Sequence, residues 1–281
     1  MKILIQAKIS NGLGNQLFQY ATVRALVHKY KIPFFLLNIE SYRNDPYKRS
    51  FKLDKFNIKG TIIKNSFIIK LLNNGTFLNK ILTFFHLYSF ISENVPPDYL
   101  NFHYRLSLLT SVKGFWQNSL YFNHIRQLLI RELTPINIPE LPPIFYNDIC
   151  ISVHVRRQDL LKEKDFGVLD LDYYNRAFDF FSKKFRYEHV KYIIFSDDIE
   201  WCKKSFTSLN TFFVEDEAWS EDYLQLYLMT KCNHNIVANS SFSWWGAWLN
   251  DHANKIVLRP FKPFINESLV HHYYPKEWIS I

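Results

Sequence analysis

Two adjacent arginines, Arg156 and Arg157, follow a short run in which Ile151, Val153 and Val155 alternate with Ser152 and His154. That alternation predicts a strand, and Asp159 stands just beyond the pair. A guanidinium is always charged and donates in a planar fork, so two of them at a strand end suit a diphosphate. In open α/β sheets, ligands collect beyond the carboxyl ends of the strands. An Arg–Asp ion pair on a surface loop is the competing reading, and these residues alone do not separate the two.

Other stretches carry compatible chemistry. Asn239-Ser240-Ser241-Phe242-Ser243 lies between an expected strand and an expected helix. Hydroxyls and unpaired N–H groups at a helix start make an anion site, with ordinary capping by Ser243 as the alternative. Asp197 and Asp198 end a further strand and could accept hydrogen bonds from a base or a ribose, or could cap the next helix. Near the start, Gly12 and Gly14 sit in a turn with Asn15 and Gln16. The turn suits a close backbone approach to a ligand, with the two amides reaching sugar hydroxyls or capping the helix. The acid-x-acid spacings Asp170–Asp172 and Glu215–Glu217 raise the question of a metal. Helix-start placement is preferred for the first, and no metal is assigned. The sequence has no HExxH pair, no G-x-S-x-G elbow and no G-x-x-x-x-G-K-[ST] loop. Zincin, serine-hydrolase and P-loop chemistry are therefore disfavoured.

The elements that must hold these residues alternate. In the first half, strands are expected over 2–9 and 32–39, and near 61–63 and 111–117. A helix follows the glycine turn, helical segments are expected over 71–90, and an amphipathic helix over 121–133. Pro135, Pro139, Pro142 and Pro143 form the clearest linker. The domain division is set there, between residues 1–143 and residues 144–281. In the second half, strands are expected at 151–155, 192–195, 211–214, 234–238 and a last one at 256–258. Helices are expected at 172–185, 199–206, 220–231 with Ser220 as its cap, and 244–249. Alternation of this length predicts an α/β fold with doubly wound parallel sheets.

The chain has 281 residues, 48% hydrophobic and 18% aromatic, which supplies ample core. Its net charge of +8 is uneven. Residues 1–145 hold 18 Lys and Arg against 7 Asp and Glu, a balance of +11; residues 146–281 hold 16 against 19, a balance of −3. The basic half suits an anionic membrane surface, an acidic acceptor or nucleic acid, or is simply a solvated face. No nucleic-acid-binding signature accompanies it, and nucleic acid is not expected as a partner. Three cysteines without a CxxC pair, no signal-peptide core and no apolar run near the ~20 residues of a membrane span point to a reducing cytoplasm. The apolar stretch 71–90 adds an expectation of peripheral membrane contact.

Five stretches in fixed order carry a resemblance: NGLGNQLFQYA at 11–21, HVRRQD at 154–159, FSDD at 195–198, DYLQLYLMTKCNHNIVANSSFSWWGAWL at 222–249 and KIVLRP at 255–260. Together they resemble the α-1,2-fucosyltransferases of glycosyltransferase family 11. The resemblance implies a GT-B-like fold, two Rossmann-type domains with parallel sheets facing a cleft. It implies GDP-β-L-fucose as donor, a galactoside 2-hydroxyl as acceptor (on a free or lipid-linked glycan), inversion to an α-linkage, and no cofactor or essential metal. Arg156 would bind the diphosphate, His154 and Arg157 would shape the same pocket, and Asn239, Ser240, Ser241 and Ser243 would hold the phosphates. By nearness in sequence to the arginines, Asp159 is the expected base, with Glu163 and Asp165 on the following loop as alternatives. Two departures stand out: Gln158 replaces the glycine usual after the arginine pair, and Phe166-Gly167 replaces a usual His-Gly. Other nucleotide sugars, and a basic glycan- or nucleic-acid-binding role without catalysis, are the alternatives.

Overall fold

The computed structural model describes residues 3–64, 77–93, 106–158, 167–186, 189–207, 209–262 and 273–281. The chain divides into two compact units, Met1–Thr134 and Pro135–Ile281. The proline-rich stretch belongs to the second unit, where Leu141, Ile144 and Phe145 pack against one of its cores.

In the first unit, β1 (Leu4–Lys8), β2 (Phe35–Asn38), β3 (Thr61–Ile63), β4 (Tyr88–Ser92) and β5 (Leu109–Lys113) form a parallel sheet of order β3-β2-β1-β5-β4. Helix α1 (Leu13–Lys29) is buried along most of its length, with Leu17, Phe18, Tyr20 and Ala21 inaccessible to solvent. Its Arg24 and Tyr20 meet Glu132 at the end of α3 (Arg126–Glu132). Arg24 Nη2 lies 2.9 Å and Tyr20 Oη 2.6 Å from the Glu132 carboxylate. Burial and this carboxylate push the Tyr20 phenol well up.

Three expectations change here. Residues 71–90 are not helical throughout: α2 covers Phe77–Phe84, and the chain is a strand by Tyr88. His86 ends the helix in a left-handed conformation (φ 57°), with the His86 and Leu87 N–H groups bonding back to Thr83 and Leu82. That is a Schellman-type stop without its usual glycine, which hid it in the sequence. The amphipathic segment 121–133 begins as tight turns at Ser119–Tyr121 and Asn123–Ile125 and becomes α-helix only at Arg126. Residues 65–76 of the basic, apolar region lie outside the described residues. Among the described residues, no helix is long and apolar enough to cross a membrane.

The second unit contains α4 (Ile144–Asn147), β6 (Ile149–Val155), α5 (Leu171–Lys184), β7 (Val190–Ser196), α6 (Ile199–Ser205) and β8 (Thr211–Phe213). They are followed by α7 (Asp222–Lys231), β9 (His234–Ile236), α8 (Ser241–Leu249), β10 (Val257–Arg259) and β11 (Ile279–Ser280). All pairings are parallel and the order is β11-β10-β9-β6-β7-β8. The pleat sorts the residues onto two faces. Ile151, Val153, Val155, Tyr192 and Ile194 pack with α5 on one face; Cys150, Ile193 and Phe195 pack with α7 on the other. Both faces are covered, so the strands read as near-continuous apolar runs. Ser220 does not cap α7; it closes the turn Glu217–Trp219, and the helix starts two residues later. The strand at Val257 is not the last, because β11 adds to its edge.

Candidate functional site

The chain leaves β6 toward β7 and β8, then returns on the other side of β6 through β9 and β10. The loops after β6 and β9 therefore part from each other, which makes a crevice at the switch point of a doubly wound sheet. The arginine pair follows β6 and the serine turn follows β9. Arg156 Nη1 donates to Ser240 Oγ at 3.1 Å across a separation of 84 residues. Ser240 is the N-cap of α8, and its Oγ also accepts the Phe242 N–H at 3.3 Å. A fixed guanidinium and the positive end of a helix thus share one place, the combination that stabilises an anion.

The two arginines have different surroundings. Arg157 stacks its guanidinium 4.1 Å from the centroid of Trp201, and its Nε lies 3.2 Å from Asp198 Oδ2. Asp197 accepts the backbone N–H groups of Arg157 (2.9 Å) and Gln158 (3.2 Å), and Asp198 caps α6 through the Trp201 N–H. These carboxylates were expected at a base or ribose, or as helix caps; Asp198 is such a cap, and both hold the loop that carries the arginines, because the end of β7 lies directly beside the end of β6.

The serine turn is also divided. Ser243, expected on a phosphate, is 2% exposed; its hydroxyl donates to Ser240 O and accepts the Ala238 N–H. It closes the turn from within and is not the cap. Asn239 donates to Gly167 O, and its buried Oδ1 makes no hydrogen bond among the described residues. Ser241 is half-buried in the first turn of the helix. His154 has the same strand parity as Arg156, is 8% exposed, and packs its ring 5.4 Å from Phe242. Asp159 lies outside the described residues.

In the first unit, the corresponding switch point lies between β1 and β5. Asn11 and Trp116, on the loops after those strands, both have positive φ (67° and 59°). Asn15 Oδ1, in the first turn of α1, accepts from Gln117 Nε2 at 2.7 Å and joins that turn to the loop after β5. Gln16, expected at sugar hydroxyls, is fully buried. Its Nε2 donates to Asn11 O and Ser50 O, and its Oε1 accepts the Lys52 N–H, each at 2.9 Å. Its amide is consumed by the chain, so it is a brace rather than a ligand contact. Neither amide caps α1, whose N-cap is Gly12.

Several neighbours of the site were not singled out from sequence. Arg259 ends β10 and lies 5.1 Å from the Tyr274 ring centroid, while Trp244 Nε1 donates to Tyr273 O at 2.8 Å. The phenols of Tyr273 and Tyr274 are pushed well up by burial, with the Arg156 charge opposing the shift at Tyr273. The signal for Arg259 was its position at the end of an apolar run, as for Arg156. Tyr273 and Tyr274 gave none. The acid-x-acid spacings are accounted for locally. Asp170 caps α5, Asp172 pairs with Arg176, Glu215 pairs with Lys203, and Asp216 caps a turn. Among the described residues no cluster of three His, Cys, Asp or Glu is placed to hold a metal.

The family model described as glycosyl transferase family 11 matches residues 2–281. An alpha-1,2-colitosyltransferase of Escherichia coli is 31% identical over 294 residues, covering 99% of each chain. A galactoside 2-alpha-L-fucosyltransferase, Sec1 of Mus musculus, is 23% identical over 98% of this chain and 73% of its own. The NodZ alpha-1,6-fucosyltransferase of Bradyrhizobium, in crystals soaked with GDP-fucose, superposes with a TM-score of 0.54 at 15% identity. That superposition covers 89% of this chain and 93% of NodZ, and the shared fold is the GT-B type with two parallel sheets.

Proposed function

This chain belongs to glycosyl transferase family 11 and is a glycosyltransferase; from that premise we propose that it moves L-fucose from GDP-β-L-fucose to the 2-hydroxyl of a terminal β-galactoside. The observation that carries the donor half is the 3.1 Å contact between Arg156 and Ser240 at the switch point. In an inverting transfer, the bond from fucose C1 to the β-phosphate oxygen breaks as the bond to the acceptor oxygen forms on the opposite face. Negative charge accumulates on the departing diphosphate, so fixed positive groups there lower the barrier most. Arg156 and the start of α8, with Ser240 and Ser241, supply them. Asn239 ties the serine turn to the Gly167 carbonyl. Arg157, Asp197 and Asp198 act by positioning the loop, and His154 packs against Phe242 at the start of α8. Asp159 takes the proton of the acceptor hydroxyl.

We assign no metal to this reaction, since the guanidinium and helix start already offset the leaving-group charge. The acceptor galactoside is carried on a larger glycan, and the +11 balance of residues 1–145 suits one presented on a lipid carrier at the cytoplasmic surface of an anionic membrane. Salt-sensitive cosedimentation with anionic but not neutral vesicles tests that placement.

A second reading has a specific support, the 31% identity over 99% of the chain to a colitosyltransferase. Colitose lacks one ring hydroxyl of fucose. A site that hydrogen-bonds that hydroxyl rejects the deoxy sugar by about 10⁴-fold, whereas a site that ignores it discriminates little. Comparing kcat/KM for GDP-fucose and GDP-colitose with lactose as acceptor, and reading the linkage by NMR, decides between them. Preference for GDP-fucose with an α1-2 product supports the first reading; preference for GDP-colitose overturns it.

A further inference from the structure

The second unit carries a pocket of about 460 Å³ at the amino ends of three adjacent strands, where Ile149 opens β6, His234 opens β9 and Ile256 precedes β10. The volume is in the range of small-ligand sites. The crevice that holds Arg156 and Ser240 is at the carboxyl ends of the same sheet, and the length of β6, on the order of 20 Å, separates the two. Ile149, Phe185 and Ile256 give the pocket an apolar side. Lys184, His234 and His252 give it a basic one, and among the described residues no carboxylate lines it.

Its polar groups are fixed as donors. His234 is 5% exposed, and its Nδ1 accepts the Ile256 N–H at 3.0 Å. The neutral ring therefore carries its hydrogen on Nε2, which has no hydrogen-bond partner among the described residues. Phe181 and Phe185 stack on this ring, with centroids 5.4 and 5.0 Å away, and hold its plane. Asn233 sets the second imidazole. Its Oδ1 accepts the Cys150 N–H at 2.8 Å, which turns its Nδ2 to His252 Nε2 at 3.3 Å and leaves the His252 hydrogen on Nδ1. Asn250, fully buried, pins the loop by accepting the His252 N–H at 2.9 Å. Lys255 spends its ammonium on the Ala247 and Asn250 carbonyls at the end of α8, at 2.7 and 2.6 Å, whereas Lys184 is exposed at the end of α5. The charges of His252 and Lys184 add to burial in keeping His234 unprotonated. A metal ion would meet imidazole lone pairs that are already occupied, and Lys184 would repel it. Two N–H donors and an ammonium beside a hydrocarbon surface match an oxyanion on an apolar body.

We propose that this pocket binds a small organic oxyanion, a phosphate or carboxylate group whose apolar body lies on Phe185 and the two isoleucines. The site is independent of which sugar the enzyme transfers. Phenyl phosphate and benzoate are titrated into the full chain at neutral pH, with the ring-proton NMR signals of His234 and His252 as the readout and phenol as the uncharged control. At least one anion is expected to move both signals and to saturate with Kd below about 10 mM, with phenol about 10-fold weaker. The tighter anion identifies the group. Lys184→Ala, at an exposed position where the fold tolerates it, is expected to weaken binding about 3- to 5-fold. Arg156→Ala is expected to leave it unchanged, because Arg156 stands at the other end of the sheet. Histidine signals that stay fixed, phenol binding as tightly as either anion, or a Kd that responds to Arg156 and not to Lys184 overturns the site.

Discussion

Replacing Arg156 by alanine separates catalysis from stability. In the folded protein its guanidinium makes the 3.1 Å contact with Ser240 Oγ, and Ser240 keeps its capping bond to Phe242 without it. The Ser240 bond by itself contributes about 1 kcal/mol of stability, roughly 2–4 °C in Tm for a domain of this size. In the transition state the same guanidinium offers a fork to a diphosphate. Each charge-assisted hydrogen bond contributes about 1.5–3 kcal/mol, so two contribute on the order of 3–6 kcal/mol, or about 10²- to 10⁴-fold in rate. Arg156→Ala is therefore expected to lower kcat/KM for GDP-fucose by at least ~10²-fold while the melting transition stays cooperative and close to wild type. Arg156→Lys retains the charge and loses the fork, and falls between the two. Steady-state transfer to lactose, calorimetric titration with GDP and a thermal melt are measured on each variant. A folded Arg156→Ala protein with kcat/KM within ten-fold of wild type would refute the assignment of the diphosphate to this crevice.

Four further outcomes follow from particular contacts. Gln16→Ala removes three bonds, one to Asn11 and two that order residues 50–52, and is expected to lower stability by about 2 kcal/mol, read by denaturant unfolding, with KM for GDP-fucose unchanged. Gly246→Ala would set a Cβ 2.8 Å from Met229 Cβ and Sδ, where α8 meets α7, and should cost about 1–3 kcal/mol; an unchanged melt would show that Met229 yields freely. His234 is pushed down to about 4 by burial, with the nearby charges of His252 and Lys184 adding to the effect. Its Nδ1 accepts the Ile256 N–H, and its ring stacks on Phe181 and Phe185. A depressed histidine pKa means that the unfolded chain takes the proton first. The stability it contributes is full above pH 6.5 and is lost as pH falls toward 4, on the order of 2 kcal/mol. Melting curves from pH 7 to 4 should be flatter in His234→Asn, and parallel curves would discard this account. Finally, transfer assayed after EDTA treatment should match the untreated rate, while restoration by added Mg²⁺ or Mn²⁺ of a rate lost to EDTA would show that a metal shares the leaving-group charge.

Much of the second unit was legible in the chain alone, because its signals are local. The alternation of Ile151, Val153 and Val155, the acids closing β7, and a serine turn before a tryptophan-rich helix each span fewer than ten residues. The positions of Arg156 and Ser240 followed from such patterns, and so did the parallel alternation that brings strand ends together. Less was legible where a stop lacked its usual residue, as at His86, or where a usual cap residue closed another turn, as at Ser220.

What the sequence alone determined is the inventory: a cation at one strand end, a helix start at another, and the order of the strands along the chain. Tertiary structure decided which groups are already spent. Arg156 and Arg157 are the same residue type side by side, yet one meets Ser240 and the other is held by Asp198 and Trp201. Gln16 and Ser243 have the chemistry of ligand contacts, but their hydrogen-bonding capacity goes to Ser50 and Lys52 in one case and to Ala238 and Ser240 in the other. A side chain's partners are set by packing across the fold, and a polar group whose donors and acceptors are filled inside the protein has none left for a substrate.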